Sequence, residues 1–119
     1  MANPNIVNVT SILGKTDLFA LTTASANLVT AAANTVVKIN SVLISNIDGT
    51  NAADVTVKMD DGSASRAIGS TISVPADATL ALIDKNTSFY LNEADVLQGT
   101  ASANSDLECL VSYEIIADA

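Results

Sequence analysis

Five residues with oxygen-bearing side chains crowd one short stretch: Asn46, Asp48, Thr50, Asn51 and Asp54. Calcium takes carboxylate, amide and carbonyl oxygens of this kind. The spacing lacks the glycine and closing glutamate of a helix–loop–helix calcium loop. Asp and Asn are also what tight turns use to bond their own backbone. Turn chemistry is the expected role, and no metal or other cofactor is expected. Asp60 and Asp61 are adjacent, so in a strand they face opposite ways and make no carboxylate pair. Glu93 and Asp95, two apart, can share a face, but a glycosidase pair also needs a cleft and a sugar platform. With no Trp and only two Tyr and two Phe, no platform is evident, and the pair reads as a solvated acidic loop edge.

Histidine is absent, which removes the imidazole base, the Ser–His and Cys–His nucleophile pairs and most zinc sites. The single cysteine, Cys109, excludes an intrachain disulfide. It lies in an apolar alternating run with no cation near it in sequence, the setting of a small buried hydrophobe rather than a nucleophile. Gly14, Gly49, Gly62, Gly69 and Gly99 are too scattered for a phosphate loop, and each reads as a turn or a bulge. Phe19, Phe89, Tyr90 and Tyr113 read as core or core-edge anchors. Asn8-Val9-Thr10 and Asn86-Thr87-Ser88 match the glycosylation spacing but read as chance matches. The start of the chain has neither the basic nor the apolar region of a secretory leader, so synthesis in the cytoplasm is expected. No catalytic residue emerges, and the chain is not expected to be an enzyme.

The elements that position these residues have a period of two. Val55, Val57 and Met59 alternate with Thr56, Lys58 and Asp60. From Leu107 the last strand places Cys109, Val111, Tyr113 and Ile115 on one face. Its other face carries Leu110 and Ile116 and is therefore partly covered. Between Thr35 and Ile47 the apolar residues are too dense for one face, so this strand is buried on both sides or contains a bulge. Turn residues recur at Asp48-Gly49, Asp60-Asp61-Gly62, Pro75–Ala78 and Ala103–Asp106. Strands are predicted at Ile6–Ile12, Leu18–Thr22, Asn27–Ala31, Thr35–Asn46, Val55–Met59, Arg66–Val74, Thr79–Ile83, Ser88–Leu91, Val96–Ser102 and Leu107–Ile116. Ala24–Asn34 is the one stretch compatible with a helix, but it is short and threonine flanks it. The fold class is all-β: an antiparallel sandwich or jelly-roll-like barrel in one domain, 1–119, with a short N-terminal arm over about residues 1–8.

The 119 residues carry a net charge of -8, so free nucleic acid and anionic membrane are poor partners. Charged residues make up only 15% of the chain, while Ala, Ser, Thr and Asn abound. Such a surface suits contacts that neighbours later cover. Ala31-Ala32-Ala33 and Ala101-Ser102-Ala103 are small enough for close approach between copies, or are simply tight loops.

Several stretches taken together resemble small virion structural proteins of tailed bacteriophages, of the marine cyanophage type. They are Ile6–Thr10 with Gly14-Lys15-Thr16, Ser45–Thr50, Val74–Leu80, Tyr90–Leu97, Ala101–Ala103 and Leu107–Ile115. The resemblance covers nearly the whole chain, and the shared pattern is one of strands and turns. It implies a capsid decoration, or cement, protein on the outer surface of the phage head, with the major capsid protein as partner. By analogy with other decoration proteins it implies a homotrimer at local threefold positions. A tail, neck or fibre-attachment component of the same virion is the second reading. A host-surface or carbohydrate-binding domain is the third, and the shortage of aromatics weighs against it.

The expected contact is the uncharged arm: Ala2, Asn3, Pro4, Asn5, Ile6 and Val7. A terminus of this kind is ordered when something ties it down, and a neighbouring subunit can do so by accepting it as an extra strand. The competing expectation is that Ile6 and Val9 begin the first strand of the chain's own sheet.

Overall fold

The computed structural model describes residues 5–7 and 9–117. Nine strands follow one another: β1 (Ser11–Ala20), β2 (Ala26–Thr30), β3 (Thr35–Asn46), β4 (Ala53–Asp60), β5 (Ser65–Val74), β6 (Thr79–Ile83), β7 (Phe89–Leu91), β8 (Val96–Ala101) and β9 (Leu107–Ala117). No helix occurs among the described residues. One sheet runs β1-β9-β3-β6, with β7 also paired to β3; the other runs β2-β8-β4-β5. Every pairing is antiparallel. The expected all-β sandwich is therefore what forms.

The core lies between the sheets. Val37, Ile39, Val42 and Ile44 of β3, Leu107, Cys109 and Val111 of β9, Val55 and Val57 of β4 and Leu97 of β8 are all at most 2% exposed. Burying side chains of this size stabilises the fold by roughly 1.5–3 kcal/mol each before ordering costs. The dense pattern of β3 is explained by a bulge: its register against β9 shifts between Ile39 and Ser41. The extra residue, Asn40, changes which parity faces inward, so Val37 and Ile39 before it and Val42 and Ile44 after it all reach the core. β3 also spans two partners, β7 along its first half and β6 along its second.

The first strand departs from the sequence reading. Two short strands, Ile6–Ile12 and Leu18–Thr22, are replaced by the single β1, Ser11–Ala20. Ile6 and Val7 lie in a turn ahead of it. The polar run Gly14–Asp17 looks like a break, yet an edge strand that is exposed on both faces needs no apolar alternation. Ala24–Asn34 holds β2, not a helix. Gly14 and Gly99 lie inside strands rather than at turns. Gly99 does so because a Cβ there would meet Leu28 Cδ1 at 3.0 Å and Leu21 Cδ2 at 3.1 Å.

Candidate interaction surface

Asp48 and Asp61 bond the backbone of their own turns. Asp48 Oδ1 accepts the backbone N–H groups of Thr50 (2.8 Å) and Asn51 (3.2 Å). These bonds hold its carboxyl below the usual value. Asn46, only 2% exposed, donates from Nδ2 to the carbonyls of Val74 (2.9 Å) and Asn51 (3.0 Å) and accepts Asp48 N–H at 2.9 Å. Asp61 Oδ1 accepts from Ala64 and Ser63, both at 2.9 Å, and is likewise held low. Among the described residues no three Asp, Glu or Cys side chains gather where a metal ion could sit. Of the Glu93 and Asp95 pair, Glu93 is half-exposed, while Asp95 is not on a solvated edge. Asp95 is 5% exposed and accepts Asn92 N–H at 2.9 Å, while Glu93 accepts Asn34 N–H at 2.5 Å. Both brace the turns that flank β2 and β8.

Cys109 is buried as expected, and desolvation pushes its thiol up to about 12. Tyr113 is a core anchor. Its hydroxyl donates to Asp17 Oδ2 at 2.5 Å, the length of a charge-assisted bond. Burial, then that carboxylate, raises its pKa to about 12. Phe19 and Phe89 pack at the core's margin. Tyr90 does not: it lies 42% exposed on the outer side of β7.

Ala31 and Ala101 point into the core, so their small size serves packing within the chain. Ala2, Asn3 and Pro4 lie outside the described residues. Asn5, Ile6 and Val7 are exposed, and Asn5 Oδ1 accepts Val7 N–H at 3.0 Å.

Among the exposed large apolar side chains, three belong to one strand, β1. Ile12, Leu13 and Leu18 are each more than half exposed. Leu18 stands opposite Leu110, Leu110 opposite Leu43, and Leu43 opposite Ala81. Leu110 and Leu43 alternate with core residues, so this row crosses four strands on the solvent side of the sheet. Leu18, Ala20, Ser45, Glu108 and Leu110 line an open hollow of about 320 Å³.

The edge of β1 is also unusual. The other edge strands among the described residues are blunted. β5 is bulged twice against β4, β2 has five residues and a register shift, β6 has five residues and a shift against β3, and β7 has three residues. β1 runs for ten residues in unbroken register with β9. It holds no proline, and its charges are Lys15 and Asp17. Exposed edges of this kind invite pairing and are normally protected. Sequence reasoning missed the feature because the exposed residues of β1 leave no burial pattern to read. The available sign was negative: ten residues without Pro or a turn pair.

No family model and no curated protein matches the chain. Solved structures share its fold, among them two with TM-scores above 0.5. A chain of the Bacillus endospore appendages, a family of disulfide-linked pili, is 12% identical over 92% of this chain and 90% of its own, with a TM-score of 0.53. A chain of the acidic stable capsid of Helicobacter pylori bacteriophage KHP30 is 8% identical over 94% of this chain and 92% of its own, with a TM-score of 0.54. At these identities the likeness is one of fold.

Proposed function

We propose that the chain is a non-enzymatic structural protein of a tailed-phage particle, decorating the outer surface of the head and bound to the major capsid protein. One observation carries this reading: an outer apolar face on which Ile12 and Leu18, both more than half exposed, continue into half-buried Leu110 and Leu43. A surface of this kind suits a subunit whose neighbours cover it.

Two things direct the reading toward a phage head. The sequence resembles small tailed-phage virion proteins along nearly its whole length, and the fold is shared with the KHP30 capsid chain. The pilus likeness fits less well. That family is disulfide-linked, whereas the sole thiol here is 2% exposed and out of a neighbour's reach. The homotrimer at local threefold positions is proposed for the chain as assembled on the head, not for the free chain, and its support is the resemblance. The arm over Ala2–Val7 is supported by the exposure of its described part, with Val7 at 84%.

The test is to strip the protein from purified heads and add it back. Saturable rebinding to heads, with increased resistance to heat, is expected. Binding confined to tails or necks would move the chain to the second reading, and no binding to any part of the particle would overturn both.

A further inference from the structure

We propose that β1 pairs with β1 of a second copy, antiparallel and about a twofold axis through Thr16, so that the two five-stranded sheets become one. This goes beyond the assignment to a phage head and does not depend on it.

The backbone fixes which residues can pair. Leu21 N–H donates to Leu107 O at 2.9 Å, and Leu21 continues the register in which Ala20 stands opposite Glu108. Bonded and unbonded residues alternate along an antiparallel pair. Odd-numbered residues of β1 therefore turn their N–H and C=O groups toward β9. Even-numbered residues, Ile12, Gly14, Thr16, Leu18 and Ala20, turn theirs away. A second copy must bond to those even positions.

Side chains then choose the register. With the axis through Thr16, Lys15 stands opposite Asp17 of the second copy, and Asp17 opposite its Lys15. Leu13, 56% exposed, meets Phe19, and Ile12 meets Ala20. Each pair shares a face, and the odd pairs are the unbonded kind in which side chains come closest. Moving the axis by one residue sets Lys15 against Lys15 or Asp17 against Asp17, which is repulsive. The register is thus specified by charge as well as by apolar contact.

Gly14 fits the same arrangement. Glycine weakens a strand, and nothing lies within 4 Å of where its Cβ would be, so no contact within the chain requires it. Across the axis, Leu18 of the second copy stands opposite Gly14 and covers the gap.

Sedimentation equilibrium of the full chain, up to roughly millimolar concentration, and thiol cross-linking test this together. The wild type is expected to dimerise reversibly. Lys15→Asp and Asp17→Lys are each expected to weaken the dimer at least tenfold, and the double exchange to restore it. Asp17 also accepts from Tyr113, so Asp17→Lys can unfold the chain. Cross-linking is free of that difficulty, because buried Cys109 does not compete. Thr16→Cys is expected to form a disulfide dimer readily, Gly14→Cys and Leu18→Cys alone not, and an equal mixture of those two to do so. A wild type that stays monomeric throughout, or Leu18→Cys alone linking as fast as Thr16→Cys, would overturn the proposal. The first result would leave the edge to a strand of another protein.

Discussion

Polar side chains at defined positions hold this sandwich together at its seams. The Tyr113 hydroxyl to Asp17 fastens β1 to β9. Tyr113→Phe is expected to cost about 1.5–3 kcal/mol in chemical denaturation, the range for a bond to a charged acceptor. Tyr113 and Cys109 both titrate near 12 in the fold, raised from ordinary values of 10.0 and 9.0. Their stabilisation is complete below about pH 9 and is lost as pH rises toward 12, because the unfolded chain gives up these protons first. A melting series across that window should fall steeply in the wild type and less steeply in Tyr113→Phe. Asp48 and Asp61 are shifted the other way, below 3.8. Their stabilisation is present above that value and is lost as pH falls through their lowered pKa values, so the melting temperature should drop below about pH 4 and drop less in Asp48→Asn/Asp61→Asn. Asn46→Ala removes three bonds at a buried junction and should cost about 2–3 kcal/mol, since the Val74 carbonyl is left without its donor. Sequence reasoning placed the Asp48 and Asp61 turns, the burial of Cys109 and the anchoring role of Tyr113, because residue type and alternation decide them. It could not place the Tyr113–Asp17 bond, which joins positions 96 apart in the chain. It misread Asp95, whose burial depends on the neighbouring strands closing over it.

Strands with one buried face were legible nearly to the residue: β3 and β6 have the predicted bounds, and the doubled apolar density of β3 signalled the Asn40 bulge. β1 was not, because pairing with β9 stabilises it rather than burial of its own side chains. Its alternating backbone makes a sharp prediction. Lys15→Pro removes an N–H that bonds to β9 and should destabilise by about 3 kcal/mol. Thr16→Pro removes one that faces outward and should change stability by no more than about 1 kcal/mol. Equal losses in thermal unfolding would show the parity to be wrong. The turn before β8 offers the opposite opportunity. Ala94 adopts φ 72°, which costs an L-residue about 1–2 kcal/mol. Ala94→Gly should therefore raise stability by about 0.5–1 kcal/mol after glycine's added entropy is counted.

At the scale of the molecule, an elongated body of 49 × 26 × 21 Å exposes three large apolar side chains, Ile12, Leu13 and Leu18, on the single strand β1. Fold class followed from period and turn spacing. Which surface stays bare did not, because strand order is set by contacts far apart in sequence. The proposed contact of the N-terminal arm with the particle has its own test: if it holds, deleting Ala2–Asn5 leaves the melting temperature unchanged and lowers occupancy on stripped heads. The proposed function requires the chain to coat a shell in many copies. The direct measurement is copy number per particle, by gel densitometry of purified virions against a known amount of the pure chain. Hundreds of copies, on the order of those needed to cover a head with modest contacts repeated many times, are predicted; tens or fewer would contradict head decoration and place the chain at the neck, fibre or tail.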